Sequence, residues 1–327
     1  MRAVVRDTYG PPDVLRLADV VTPRPKPDQV LIRVHATTVN RTDEGFLTGK
    51  PLFVRYFSGF PRPKNHILGT EVAGVVEQAG DAVHAFAPGN RVFGINAWNL
   101  GKEPITGAFG AHAEYVCMRE SGPLAAIPDG VPFSLAAPIC DGALLALWNL
   151  RAAGVRDGKR VLVYGATGSI GTAGVQLSRH FGAHVTAVCP TQHFDLVRGL
   201  GAGDTIDYMK EDFTASGQRY DVIFDAVGKL SFRHCRNALS DGGVYVTTDG
   251  LMNVVLAQLT RRSERRVVFP LPPRFLQRDV RFMRDLIEAG EYRAVIDRTY
   301  PLDEAVAAMR YVQTGQKVGN VVLDVTA

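Results

Sequence analysis

Two rhythms of apolar and polar residues divide the chain. Runs at 3–5, 29–35, 70–78, 91–94 and 113–118 are short and apolar or alternating, and Pro or Gly clusters separate them. That spacing predicts strands of a small antiparallel barrel or sandwich over roughly the first 125 residues. Residues 47–66 are aromatic, basic and proline-rich, too long for a tight turn, and predict a functional loop or a disordered insert. From Ser134 the rhythm lengthens. Residues 135–154, LAAPICDGALLALWNLRAAG, predict a helix that Gly154 stops. Strands are then expected at 160–164, 184–189, 204–207, 221–225 and 243–247, with helices at 169–181, 192–200 and 230–239. Such alternation implies a parallel sheet covered on both faces. A further strand at 266–269 precedes Pro270, Pro272 and Pro273. The tail predicts strand 294–297, helix 302–314 and strand 320–325, and there is no internal repeat.

The junction at 160–174, RVLVYGATGSIGTAG, carries the first chemical signal. Val161, Leu162 and Val163 form a buried strand, and Gly165 to Gly171 form the turn. Gly168 lacks a Cβ, so its backbone can approach a phosphate closely. Gly171 and Gly174 let the following helix lie tight against the strand. The first helical N–H groups and the positive end of the helix dipole then face an anion, which suits a dinucleotide diphosphate.

Composition narrows the classes. A chain of 327 residues is long enough for two cores, and 46% hydrophobic with 21% charged residues is ordinary for a globular protein. A net charge of +4 is too small and dispersed to indicate nucleic acid. The dense run Arg261, Arg262, Arg265, Arg266 reads first as a solvated loop or helix end. Cys117, Cys140, Cys189 and Cys235 stand far apart without a C-x-x-C pair, which fits reduced thiols in a cytoplasmic protein. The N-terminus lacks a signal-peptide apolar core, and no apolar run is long enough to predict a membrane span. The histidines show no metal-binding spacing, and no G-x-S-x-G elbow supports hydrolase chemistry.

Further motifs add a family resemblance. VNRTD at 39–43, ILGTEVAGVVEQAG at 67–80, PGNRVFG at 88–94, GAHAEYV at 110–116, GATGSIG at 165–171, LGAGDTIDY at 200–208, YDVIFDAVG at 220–228 and TGQKVGNVVL at 314–323 run along almost the whole chain. Together they resemble the medium-chain dehydrogenase/reductase superfamily, in its zinc-independent quinone oxidoreductase-like branch. The resemblance implies an α/β protein: a GroES-like β-barrel catalytic domain from 1–124 and 294–327, and a doubly wound Rossmann NADP-binding domain from 125–293. The nicotinamide is expected in the cleft, and the protein is expected to be a homodimer pairing edge strands at 244–247 or 267–269. It implies a reductase of quinones or of C=C bonds conjugated to a carbonyl. The alternatives are a zinc-free alcohol dehydrogenase and a non-catalytic, crystallin-like NADPH-binding protein.

Zinc-holding relatives use a Cys, a His and a second Cys, and by motif these fall at Asn40, Thr70 and near Cys140. Asn and Thr bind Zn²⁺ poorly. Glu71, Asp43 and Cys140 are the remaining groups for an improvised site, and no metal is expected. Without a Lewis acid, reduction of a conjugated alkene is easier than oxidation of an alcohol.

The cofactor is expected to be NADP(H) rather than NAD(H), because no acid follows the second strand of the parallel sheet until Asp195. Relatives carry Ser, Thr, then Lys or Arg there. This chain has Pro190, Thr191 and Gln192, leaving Thr191 and His193 as donors. The resemblance assigns Gly165, Ala166, Gly168, Ser169, Ile170 and Gly171 to the cofactor. It adds Cys189, Thr191 and Tyr208, then Ala226 and Val227 at the carboxyl edge of a strand, and Asn320 in the tail. Leu144 falls where relatives hold a cofactor-contacting Thr. Asn40 is expected near the nicotinamide, and its alternative is a helix cap shared with Asp43. Tyr56, among Phe53, Phe57 and Phe60, is either a proton donor in an aromatic pocket wall or part of a packed loop.

Overall fold

The computed structural model describes residues 1–96, 109–271 and 274–327, with the side chain of Phe57 excepted. Pro272 and Pro273, expected after the last parallel strand, lie outside the described residues. The chain forms two compact units, Met1–Asp141 with Arg274–Ala327, and Gly142–Pro273. Breaks expected after residue 124 and before residue 294 therefore fall inside the first unit. The reason is local pairing. The Ile127 N–H donates to the Arg91 carbonyl at 2.9 Å, and Gln277 Nε2 donates to the Glu120 carbonyl at 2.7 Å.

The first unit opens with β1 (Arg2–Val5), β2 (Arg16–Asp19) and β3 (Gln29–Val39). Next come α1 (Arg41–Thr48), α2 (Phe53–Ser58), β4 (Glu71–Ala79), β5 (Arg91–Ile95), β6 (Tyr115–Arg119), β7 (Leu124–Ala126) and α3 (Phe133–Ala136). β1 and β2 pair with each other, and β3 pairs antiparallel with both β4 and β6. The alternating patterns bury Val34, Val72, Val92 and Leu124 in one core. The expected open stretch 47–66 contains α2. Val54 and Ser58 of α2 are buried, and Tyr9 hydrogen-bonds Ser58 Oγ at 2.6 Å, so the segment is packed rather than a disordered insert.

The chain passes into the second unit within α4 (Cys140–Ala153). Gly154 follows at φ +74°, a left-handed stop open to glycine. Then come β8 (Arg160–Tyr164), α5 (Ser169–His180), β9 (His184–Val188), α6 (Phe194–Gly199), β10 (Asp204–Ile206) and β11 (Tyr220–Asp225). α7 (Phe232–Cys235), β12 (Leu239–Thr247), α8 (Met252–Leu259) and β13 (Arg266–Val268) complete it. Among the described residues the six strands run β10-β9-β8-β11-β12-β13, every neighbouring pair parallel. The order reverses on either side of β8, so the turn after β8 opens at the topological switch point where ligands bind in such sheets. The helix expected at 230–239 shrinks to α7 and a 3-10 turn, because β12 begins at Leu239.

The tail returns to the first unit with α9 (Gln277–Glu288), β14 (Ile296–Pro301), α10 (Ala305–Gln313) and β15 (Asn320–Asp324). β15 adds antiparallel to β3, and β14 adds parallel to β15, so the sheet expected to be antiparallel is mixed at this edge. Against expectation, helical residues 133–153 are long and apolar enough to cross a membrane, but they are mostly buried within the protein, the pattern of a core helix.

Candidate functional site

In the second unit the site begins with backbone geometry. Gly165 has φ +75°, and a Cβ there would lie 2.6 Å from Val227 Cγ1. A Cβ on Gly171 would lie 2.1 Å from the Gly165 carbonyl oxygen and 2.8 Å from Ala166 Cα, so only glycine lets α5 leave the turn this tightly. Gly174 meets the ring of Phe224 in the same way, at 2.9 Å. Gly168 differs: its φ is −71°, and the nearest atom to an added Cβ is 3.8 Å away. A Cβ there would meet only the Gly165 carbonyl oxygen, at ordinary contact distance. Gly168 caps α5 without a side-chain hydrogen bond, which leaves first-turn N–H groups around Ser169 and Ile170 for an external acceptor.

Other assigned residues gather around this turn. The N–H groups of Gly165 and Ala166 both donate to the Val188 carbonyl at 3.1 Å, and the Ala226 N–H donates to Tyr164 at 3.1 Å. Val227 packs over Gly165 because Asp225 holds the segment behind it. Asp225 Oδ1 accepts from the N–H groups of Val227 and Gly228, at 3.2 and 2.9 Å, and Oδ2 accepts from Leu230 at 2.7 Å. Sequence reading missed Asp225; its signal was an acid at a strand end followed by a glycine turn.

Cys189 is fully buried, and burial pushes its thiol up to about 11, so it offers the site backbone only. Thr191 is held by Asp207, the residue before Tyr208, whose Oδ2 accepts from both the N–H and the hydroxyl of Thr191. The Tyr208 ring lies 6.0 Å from that of Tyr164 and is 48% exposed. Asp207 and Lys210 were also missed, since neither stands in the stretch after β9 where such residues are sought. Leu144 is buried in α4 and offers no hydrogen bond.

In the first unit Asn40 sits in a buried polar cluster. Asn40 caps α1: its Oδ1 accepts from the Asp43 N–H at 2.9 Å, and Asp43 accepts in return from the Asn40 N–H at 3.2 Å. Asn40 Nδ2 donates to Thr70 Oγ1 at 2.9 Å. Asp43 also accepts from the Gly69 N–H at 3.0 Å, and its Oδ2 lies 3.8 Å from His112 Nε2. That nitrogen donates to the Thr38 carbonyl at 2.8 Å. Glu71 accepts from the Thr38 hydroxyl at 2.5 Å and from the Asp141 N–H at 2.7 Å.

Three carboxyls thus share one apolar interior. Burial raises Asp43 above the usual carboxylate range, and His112 opposes the rise. Burial also raises Glu71 and Asp141; the neighbouring Asp141 pushes Glu71 further, and Asp43 does the same to Asp141. Lys317 is the compensating cation, and burial draws its ammonium down to about 8. Desolvation of several like charges in one place holds protons on this cluster near neutral pH.

The three positions where zinc ligands are expected in relatives do not fit a metal. The Asn40 amide and Thr70 hydroxyl are bonded to each other. Neither an amide nor a hydroxyl competes with imidazole or thiolate for Zn²⁺, so of the three positions only the buried Cys140 offers a strong donor. Among the described residues no group of three or more His, Cys, Asp or Glu side chains has metal-holding geometry. Tyr56 lies on α2 and is 84% exposed, with Phe53 and Phe60 also exposed; the Phe57 side chain lies outside the described residues. Asn320 belongs to the first unit, where its Nδ2 donates to the Val295 carbonyl at 3.0 Å.

Comparison with known proteins agrees with this anatomy. Residues 26–129 match the alcohol dehydrogenase GroES-like domain, and residues 200–323 match the zinc-binding dehydrogenase family. A chloroplastic NADPH-dependent alkenal/one oxidoreductase of Arabidopsis thaliana is 32% identical, over 99% of this chain and 79% of its own length. A chloroplastic quinone-oxidoreductase homolog of Spinacia oleracea is 28% identical, over 99% and 98%. The quinone oxidoreductase of Coxiella burnetii superposes with a TM-score of 0.87 at 28% identity, over 99% of each chain. These relatives correct the expected cytoplasmic location. The two plant proteins are chloroplastic, and reduced, scattered cysteines do not separate that compartment from the cytoplasm.

Proposed function

The chain belongs to the medium-chain dehydrogenase/reductase superfamily, in its quinone oxidoreductase-like branch, and on that premise we propose that it is an NADPH-dependent reductase of quinones or of α,β-unsaturated carbonyl C=C bonds. The observation that carries the cofactor half is the glycine turn after β8, where Gly168 caps α5 with no side chain and leaves the first helical N–H groups without a side-chain cap. When bound, NADPH supplies a hydride to the electron-poor carbon of the substrate. The turn from Gly165 to Gly171 would hold the diphosphate and Tyr208 would wall the adenosine end; Thr191, expected as a donor there, gives both its N–H and its hydroxyl to Asp207 and lies behind that wall. Asn40 and Thr70, already paired, orient the polar end of a small-molecule substrate. The exposed Tyr56 phenol or water returns the proton.

The reading is zinc-independent because the donor set at Asn40, Thr70 and Cys140 does not suit the metal, and no step runs through one. We also propose a homodimer. β13 ends its sheet, and Leu251, Met252, Val255 and Leu259 of the neighbouring segment are exposed, an apolar face beside an open edge. Light scattering should return twice the chain mass; a monomer at micromolar concentration would remove this part.

The test of function is NADPH oxidation with a panel of enones, enals and quinones. Turnover with at least one class is expected. Tight NADPH binding without turnover on any of them would point to the binding protein instead, and oxidation of alcohols alone to the dehydrogenase.

A further inference from the structure

We propose that Lys210, outside the stretch where such a residue is sought, is the cation that selects a 2′-phosphorylated adenosine. The inference rests on the NADPH reading above and adds which residue enforces it. A 2′-phosphate needs a cationic or multiple-donor partner beside the ribose. The turn after β9 holds Pro190, Thr191 and Gln192 and so lacks one. Gln192 Nε2 and His193 Nε2 lie 3.2 Å apart and contact each other.

Lys210 fills the gap from the end of β10. Its Nζ donates to Thr191 Oγ1 at 2.8 Å, yet its side chain remains 68% exposed, so two of its three N–H donors can turn outward. Asp207 explains why the ammonium sits there. Its side chain is only 6% exposed and lies 3.6 Å from Lys210 Nζ. Oδ2 takes both donors of Thr191, and Oδ1 takes the Met209 N–H at 2.9 Å. These bonds, led by the Thr191 hydroxyl, hold the Asp207 carboxyl below its ordinary range. An acid that already accepts three hydrogen bonds with its side chain only 6% exposed is poorly disposed to accept from a ribose diol, so it is not read as the acid of an NAD-binding site. It serves instead as the anchor for Thr191 and Lys210.

Beside the ammonium lies a cavity of about 400 Å³ walled by Tyr164, Tyr208, Phe213 and Leu230. Aromatic and aliphatic walls with a cation at the rim suit a purine carrying a phosphate. Glu211, Asp212 and His234 also line it; Asp212 Oδ1 accepts from the N–H and hydroxyl of Thr214, at 2.9 and 2.8 Å, and lies 3.5 Å from His234 Nε2.

The test is calorimetry of the full chain with 2′,5′-ADP and with 5′-AMP, on wild type, Lys210→Ala and Lys210→Arg. Wild type should prefer 2′,5′-ADP. Lys210→Ala should weaken 2′,5′-ADP by about ten- to a hundredfold, the scale of one charge-assisted hydrogen bond, and leave 5′-AMP within about twofold. Lys210→Arg should keep the preference. Because the side chain is exposed, melting of both variants should match wild type. An unchanged preference in Lys210→Ala would overturn the role of Lys210 while leaving the NADPH reading intact. A wild type that binds 5′-AMP as tightly as 2′,5′-ADP would overturn the NADPH reading itself.

Discussion

The glycine turn of the second unit and the carboxyl cluster of the first use opposite means. The turn works with backbone: N–H groups, a helix dipole and missing Cβ atoms, none of which titrates. The cluster works with buried side chains, Asp43, Glu71 and Asp141, whose charges oppose one another and whose partners come from distant elements. A backbone site is rigid and indifferent to pH but intolerant of added atoms. A buried ionisable site tolerates isosteric change and responds to pH.

The sharpest way to break that contrast is Gly171→Ala. Its Cβ would meet the Gly165 carbonyl at 2.1 Å, backbone against backbone, so a loss above about 3 kcal/mol is expected in urea unfolding. A variant as stable as wild type would show that the turn has slack. Next is Glu71→Ala, which strands the Thr38 hydroxyl and the Asp141 N–H; about 2–3 kcal/mol should be lost in the same assay. Glu71→Gln, keeping an acceptor, should lose clearly less.

The third prediction concerns pH. Glu71 and Asp141 are raised above their unfolded values of 4.5 and 3.8, so the folded state binds more protons than the unfolded one between the unfolded and folded pKa values. Their contribution is complete below the unfolded values and is lost as pH rises through the folded ones. The urea midpoint should therefore fall as pH rises from the acid range to neutral, with the buried Lys317 ammonium, drawn down to about 8, opposing any further fall above that pH, and Asp141→Asn should flatten the slope. A slope unchanged in that variant would remove Asp141 as its source. The smallest effect is expected from Asn40→Ala, which removes a cap worth about 1 kcal/mol, measured as a lower melting temperature.

The same contrast governs what could be read from sequence. β8, the turn and α5 were legible because strand period, glycine spacing and helix period all lie within twenty-one consecutive residues, 160–180. α9 was missed although its pattern was there to read: Val280, Met283 and Leu286 form a buried stripe at helical spacing against a charged face. β7 has three residues, too few for alternation to register. α2 was hidden by the prolines around it, Pro51 and Pro61. At the site, Asn40 was legible as a cap because its partner Asp43 is three residues away. The pairing of Glu71 with Asp141 spans 70 residues and leaves no local pattern. Asp207 and Lys210 escaped because their partner Thr191 lies on a different strand end, 16 and 19 residues away.

The central claim is that the turn after β8 binds the NADPH diphosphate through backbone, and Gly168→Asp tests it most directly. The φ of −71° and the 3.8 Å clearance suit an L residue, and Asp is a favourable helix cap, so folding and melting should be kept or slightly improved. Calorimetry should show NADPH binding to wild type and none to the variant, because the new carboxylate occupies the anion's place. NADPH binding by a folded Gly168→Asp protein within a few-fold of wild type would contradict the account.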